Sequence, residues 1–159
     1  MVEIRFRDGK TPIVIDADTT GDALRKAAEN GVDLRLISLC AKDLKSDDLS
    51  KVNLFYADLF GADLRNVNLK CADLFGADLR KSNLCGANID FSCWPLWCGS
   101  LDVKIDKCIF CQLLYHTLRA GQSVDDPEVK KLFEIPEVVN LANQFHRVDE
   151  CGKIEAQNG

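Results

Sequence analysis

The sequence predicts a β-solenoid with a smaller segment on each side, and three observations favour this fold class. A leucine stands at every fifth position from Leu34 to Leu84, and Ile89 continues the series to twelve consecutive units. Helices space apolar residues three and four apart and half-buried strands space them two apart, so a period of five requires a turn in every unit. Two positions before most of these leucines stands a small residue, and directly before eleven of the twelve central residues stands Asp or Asn.

The N-terminal segment, residues 1–31, is predicted to be a β-hairpin followed by a helix. Apolar and charged residues alternate over 2–6, Asp8-Gly9 supplies a turn, and residues 12–15 form the returning strand. A helix over residues 22–28 then has Asp18 or a neighbouring threonine as its cap and ends near Gly31. Because an open solenoid end exposes apolar side chains and unpaired backbone, we predict that this segment is a cap.

Within each repeat, the central leucine and the small residue two places before it are predicted to point inward, since a five-residue turn encloses little space. The Asp or Asn between them is predicted to hydrogen-bond the local backbone. Lys42 and Asp47 occupy inward positions, which is a conflict unless they pair or the first coil is distorted. The structural ladder is assigned to Leu54, Leu59, Leu64, Leu69, Leu74, Leu79, Leu84 and Ile89.

The C-terminal segment, residues 98–159, is predicted to be helical. The five-residue pattern decays over residues 91–97, where aromatic bulk and Pro95 are expected to close the solenoid. Helical spacing of apolar residues follows over 105–118, and Asp126-Pro127 and Pro136 mark two further helix starts. The apolar width of these helices suits either a cap or a homodimer interface, and the sequence leaves both open.

The repeats resemble those of the pentapeptide-repeat family. Residues 57–66 are ADLFGADLRN and residues 72–81 are ADLFGADLRK, which follow the form A(D/N)LXX. The resemblance implies a right-handed quadrilateral parallel β-helix of about three coils over residues 32–97. The tail from residue 98 onward resembles that of bacterial or prophage-type members without an assigned function.

Composition and charge exclude some classes of function. The net charge is −5, and residues 32–91 hold nine acidic and eight basic residues, so no basic stripe for nucleic acid is present. No run of 18 apolar residues occurs and charged residues lie close to Met1, so we expect neither a membrane span nor an export signal. A cytoplasmic location and eight reduced cysteines are therefore expected.

Four cysteines are weak candidates for a zinc site: Cys93, Cys98, Cys108 and Cys111. The last two form a CxxC pair, but that pair falls within a predicted helix and the first pair has four intervening residues. Free thiols are the favoured interpretation, and we expect no metal and no cofactor. A cysteine nucleophile would need His116 or His146 within hydrogen-bond reach, and no phosphate loop or nucleophile elbow is present, so no catalytic residue is assigned.

The candidate partner surface consists of the aromatic residues Phe55, Tyr56, Phe60 and Phe75. Phe55 and Phe75 are twenty residues apart, so four-unit coils would stack them in one column. Stacked rings either stabilise the ladder or form an exposed apolar strip for a partner, and the sequence allows both.

The function predicted from the sequence is a non-enzymatic protein–protein interaction module on a rigid rod, with another protein as its partner. The family resemblance implies an alternative, a DNA-mimicking modulator of DNA gyrase or topoisomerase of the quinolone-resistance type. The near-neutral repeats suit that role poorly. A zinc protein built on the four cysteines is the second alternative.

Overall fold

The computed structural model describes residues 1–95 and 98–156 of the 159-residue chain. The chain divides into two compact units, Met1–Ile105 and Asp106–Gly159. Leu96 and Trp97, which were expected to help close the solenoid, lie outside the described residues. In the described part of the chain, no helix combines the length and the apolar character that crossing a membrane requires.

The first unit begins with the predicted hairpin and helix. Strand β1 (Val2–Phe6) pairs antiparallel with β2 (Ile13–Ile15), and helix α1 (Thr20–Glu29) follows. Thr19 caps this helix, because its hydroxyl accepts a hydrogen bond from the backbone N–H of Asp22 at 3.0 Å. Of the predicted caps, the threonine is therefore the one used.

Backbone hydrogen bonds join the hairpin to the first repeats. The free edge of β1 pairs antiparallel with β3 (Ile37–Ser38), which lies in the first repeats. The three strands form one sheet in the order β2-β1-β3, and Ser38 also forms a parallel bridge with Asp58. The solenoid backbone is thus paired at this end.

The repeats form a β-solenoid in which twenty residues complete one coil. Parallel bridges join residues twenty apart, and eight such bridges are Ser38–Asp58, Asp43–Asp63, Asp48–Asn68, Asn53–Asp73, Asp58–Asp78, Asp63–Asn83, Asn68–Asn88 and Asp73–Cys93. The coils are also joined by hydrogen bonds such as that from Leu54 N–H to Asp73 O at 2.8 Å. Each unit contributes a single bridging residue between two turns, so long strands do not form.

The leucine ladder fills the interior of the solenoid. Leu54 and the six ladder leucines that follow it are 0% exposed, and Ile89 is 5% exposed. Burying a leucine side chain contributes about 1.5–3 kcal/mol, so this column dominates the stability of the repeats. The residues two places earlier, such as Ala57 and Ala77, are also 0% exposed, as the inward assignment requires.

Lys42 and Asp47 depart from the inward pattern in different ways. Lys42 is exposed, so the expectation that its side chain points inward is wrong, although its carbonyl still accepts a hydrogen bond from Asp63 N–H at 2.9 Å. Asp47 is half-buried and accepts a hydrogen bond from the Thr19 hydroxyl at 3.4 Å, beside Gly21 at the start of α1. Burial raises the pKa of the Asp47 carboxyl. The first coil keeps its backbone pairing because one residue reaches solvent and the other is paired.

Residues 99–104 extend the last coil of the first unit. After a 3₁₀ turn over Cys98–Ser100, the carbonyl of Gly99 accepts from Leu79 N–H at 2.7 Å and that of Lys104 from Leu84 N–H at 2.8 Å. Lys104 also forms a parallel bridge with Asn83. The structure therefore divides the chain after Ile105, later than the predicted boundary at residue 97.

The second unit is helical. It contains α2 (Lys107–Gly121), α3 (Pro127–Lys131), α4 (Pro136–Ala142) and α5 (Val148–Cys151), with a 3₁₀ turn at Leu132–Glu134. Asp106 and Asp126 cap α2 and α3 with their carboxylates. Its core consists of Tyr115, Leu118, Phe133, Val139, Ala142, Phe145 and Ile154.

Candidate functional site

Every repeat turns at the same place, immediately after its central residue. From Leu39 to Ile89, the N–H three residues after each central residue donates back to its carbonyl, as from Ala57 to Leu54 at 2.9 Å and from Ala77 to Leu74 at 3.0 Å. The residue two places after the leucine has positive φ, as type II turns require. These corner residues are Leu36, Ala41, Ser46, Lys51, Tyr56, Gly61, Asn66, Cys71, Gly76, Lys81, Gly86 and Phe91.

The Asp or Asn residues hold these corners in place, as predicted. Their side-chain oxygens accept from the N–H two residues later, as in Asn53 to Phe55 at 3.0 Å and Asp73 to Phe75 at 2.9 Å. The same bond recurs at Asp33, Asp43, Asp48, Asp58, Asp63, Asn68, Asp78, Asn83 and Asn88. The outward residue after each leucine is therefore presented by a backbone fixed on both sides.

Phe55, Tyr56 and Phe75 form one group of touching rings, here called the aromatic cluster. Phe55 and Phe75 stack with their ring centroids 5.3 Å apart and their planes 14° apart, as the twenty-residue spacing predicts. Tyr56 meets Phe55 edge-on at 4.6 Å and Phe75 at 5.9 Å. Phe75 remains 51% exposed and Tyr56 43% exposed, so the cluster is an apolar surface and is not part of the core.

Gly76 makes room for the ring of Tyr56. A Cβ atom at this position would lie 2.8 Å from Tyr56 Cε1, so the ring would have to move. The glycine lies twenty residues after the tyrosine, so it is the corner of the next coil. Sequence reasoning missed this pairing, although the signal was available: a small residue directly follows Phe75 in the corner column of the tyrosine.

Phe60, the fourth residue of the predicted partner surface, has a different environment. Its ring contacts two cations, with the Arg80 guanidinium carbon 5.7 Å and the Lys81 Nζ 5.3 Å from its centroid. Stacking with Phe55, Tyr56 or Phe75 is not observed among the described residues. Phe60 therefore does not belong to the aromatic cluster.

Acidic residues on the repeats are paired with nearby arginines. Asp63 and Asp78 form ion pairs with Arg65 and Arg80 at 2.5 and 2.6 Å, and an equivalent pair joins Asp33 to Arg35 at 2.7 Å. Hydrogen bonds from the Arg65 guanidinium lower the pKa of the Asp63 carboxyl to about 2, and those from Arg80 lower the pKa of Asp78. These pairs reduce the net negative character of the surface.

The predicted metal candidates do not form a group in the described residues. Cys93 is exposed on the last coil, whereas Cys108 and Cys111 lie on α2, the former exposed and the latter 1% exposed. The side chain of Cys98 lies outside the described part of the structure. Within that part, no group of three or more His, Cys, Asp or Glu residues is arranged to hold a metal ion.

The second unit contains a pair that sequence reasoning did not bring together. Cys108 Sγ lies 3.8 Å from Nδ1 of His146, across 38 residues of sequence. His116, the other histidine, instead meets the rings of Tyr115 and Phe145 at 5.4 and 5.2 Å. The sequence identified both histidines as the available partners of a cysteine, but spacing alone could not select the pair.

Comparison with known proteins identifies the repeats. A family model described as pentapeptide repeats matches residues 53–90 with eight copies. Comparison with the curated proteins gives no match.

Several solved structures are similar to part of the chain. A pentapeptide repeat protein from the Arabidopsis thaliana thylakoid lumen is 34% identical over 35% of this chain and 38% of its own, with a TM-score of 0.34. Rfr23, from the cyanobacterium Cyanothece 51142, is 33% identical over 44% of each chain, with a TM-score of 0.36. HetL, involved in heterocyst differentiation regulation in Nostoc sp. strain PCC 7120, is 25% identical over 46% of this chain and 38% of its own, with a TM-score of 0.19. The match spans less than half the length of each of these proteins.

Proposed function

Residues 53–90 are repeats of the pentapeptide-repeat family, and from this premise we propose that the chain is a non-enzymatic protein–protein interaction module. In this proposal residues 32–97 form a right-handed quadrilateral β-helix of about three coils, which residues 1–31 cap. The twenty-residue bridges and the turn in every five residues support four sides per coil. The pairing of β1 with β3 supports the N-terminal cap.

The exposed aromatic cluster is the observation that carries this function. Its rings are fixed in advance, because Phe75 stacks on Phe55 and the backbone N–H groups of both donate to the side-chain oxygens of Asn53 and Asp73. Binding at such a surface sacrifices little side-chain entropy. Exposed aromatic residues are also enriched among the residues that dominate binding energy in protein interfaces.

The partner we propose is another protein that places an apolar side chain against Phe75 and Tyr56. Around the cluster, polar groups such as the Asp73 carboxylate already accept hydrogen bonds from their own backbone. They are suited to a hydrated rim around an apolar contact, the usual arrangement of a protein interface. Burial of the apolar area of these two rings against the partner would supply the affinity.

The test uses the full chain and a matched control within it. Proteins captured from an extract on the immobilised chain are identified, purified and titrated against it by calorimetry. We expect Phe75→Ser to weaken the affinity of the true partner about tenfold or more. Phe91→Ser is the control, since Phe91 is 67% exposed at another corner and is not in the cluster. Equal affinities for the wild type and Phe75→Ser would refute the assignment.

The alternatives from the sequence have separate tests. A DNA mimic would present unpaired negative charge, whereas Asp33, Asp63 and Asp78 are ion-paired, and a gyrase supercoiling assay measures that activity directly. Metal analysis of the purified chain tests the zinc protein. A cap or homodimer role of the second unit and a cytoplasmic location stay predictions.

A further inference from the structure

Cys108 and His146 form an exposed thiol–imidazole pair that the interaction function does not use. Cys108 is the second residue of the fifteen-residue helix α2, after the capping residue Asp106, and its side chain is exposed. Nδ1 of His146 lies 3.8 Å from its sulfur, within the range of a hydrogen bond to sulfur. Both residues belong to the second unit.

The position of His146 is set by the core of that unit. Its ring meets Phe145 edge-on with the centroids 4.9 Å apart, and Phe145 is only 3% exposed. Glu150, one of the two acids on the following helix, accepts hydrogen bonds of 2.5 and 3.2 Å from Arg147. The imidazole is therefore placed by packing and directed at the sulfur.

This arrangement is the local chemistry that activates a thiol. An imidazole at this distance accepts the thiol proton, and the ion pair that results keeps the sulfur as the nucleophilic thiolate. The N-terminal end of α2 further favours negative charge on its first turn.

The other cysteines provide an internal comparison. Cys40, Cys71, Cys93 and Cys151 are also exposed, but in the described residues no hydrogen bond between these thiols and a histidine is observed. Cys111, one turn after Cys108 on α2, is 1% exposed. Accessibility alone therefore predicts equal reactivity for five thiols, whereas the pairing with His146 singles out one.

We propose that Cys108 is a site of S-thiolation by small-molecule disulfides such as oxidised glutathione. His146 takes the proton of the thiol, and the Cys108 sulfur then attacks one sulfur of the disulfide. The bond between the two small-molecule sulfurs breaks, a mixed disulfide forms on Cys108, and the departing thiolate recovers the proton from the imidazolium. One disulfide and one thiol give one mixed disulfide and one thiol, so no further oxidant is needed.

The test follows every cysteine of the reduced, folded full chain. The chain is incubated with excess oxidised glutathione near pH 7, quenched over time, digested, and analysed by mass spectrometry for glutathione on each cysteine. We expect Cys108 to react about tenfold faster than the mean of the four other exposed thiols. If Cys108 of the wild type reacts no faster than those four thiols, this result alone refutes the proposal.

Two histidine variants then identify the cause. His146→Gln removes the proton acceptor, and we expect the rate at Cys108 to fall to that of the other exposed thiols. His116→Gln changes the other histidine packed on Phe145 and is expected to leave that rate unchanged. Buried Cys111 reports on folding, since glutathione on Cys111 would show that a variant has unfolded. If His146→Gln shows such labelling, His146→Asn is measured in its place. An unchanged Cys108 rate in a folded His146 variant would overturn the proposal.

Discussion

Replacing Gly76 by alanine is predicted to destabilise the solenoid more than the same change at Gly61. Both glycines are corner residues, with φ of +68° and +64°. A Cβ at Gly61 would meet nothing within 4 Å, whereas one at Gly76 would strike the ring of Tyr56 at 2.8 Å. The two substitutions therefore share the cost of the turn and differ only in what happens to the tyrosine.

The magnitude can be worked out from these contacts. An alanine in the left-handed region costs about 1–2 kcal/mol, offset by about 0.4–1 kcal/mol because alanine restricts the unfolded chain. Gly61→Ala should thus cost about 1 kcal/mol. Gly76→Ala also displaces Tyr56 from its edge contacts with Phe55 and Phe75, each worth about 0.5–1.5 kcal/mol. Its total cost should be about 2–4 kcal/mol.

Guanidinium unfolding followed by tryptophan fluorescence measures this difference. Trp94 belongs to the unit Met1–Ile105, so the change in its fluorescence reports on the unit that contains the repeats. In a Tyr56→Ala background, the cost of Gly76→Ala should fall to that of Gly61→Ala. Two glycine variants that differ by less than about 0.5 kcal/mol would refute the role assigned to the tyrosine.

Three further predictions concern the same unit and use the same unfolding assay. Leu64→Ala should cost about 2–5 kcal/mol by leaving a cavity, whereas the loss at exposed Arg65→Ala should be small, and similar losses would contradict the inward and outward assignment. Asp63→Asn should destabilise the chain at pH 7, because Arg65 lowers the pKa of Asp63 from 3.8 to about 2. The ionised Asp63 stabilises the folded chain above pH 3.8, and this contribution is lost as the pH falls toward 2, where the stabilities of variant and wild type should converge. Asp47→Asn should have the opposite sign, because burial raises the pKa of Asp47 and penalises its ionised form: the variant should be more stable than the wild type at pH 7, and the gap should close on acidification through the raised pKa. A gap that widens in acid would show that Asp47 is stabilised as a carboxylate.

The repeating part of the fold could be predicted from the sequence because each unit repeats the same local solution. The inward leucine, the small residue before it and the capping Asp or Asn are all short-range features, and all of them are observed. The stack of Phe55 on Phe75 followed once the coil length of twenty was assumed from the family resemblance. A period of this kind therefore predicts both the contacts within a unit and those between coils.

The remainder depended on contacts that no period encodes. The sequence placed the charged Asp47 at an inward position without a partner, and the structure supplies the Thr19 hydroxyl, next to α1, as the donor to its carboxylate. On α2, Phe110 falls within the predicted apolar spacing over 105–118 but is 46% exposed, whereas Tyr115 is buried and its hydroxyl donates to Gly152 O at 2.6 Å. The pairing of Cys108 with His146 likewise required the arrangement of the second unit. Helical spacing shows that a face is apolar, but not which partner it meets.

The solenoid has two periods, and they respond differently to insertions and deletions. Leucines recur every five residues, but the columns on the surface recur every twenty. Removing one unit between Tyr56 and Phe75 would keep every leucine inside, yet it would move Phe75 to a neighbouring side of the rod and separate it from Phe55. Only changes of four whole units keep both the core and the surface in register. Length variation by single units can therefore redistribute surface residues while the interior is conserved.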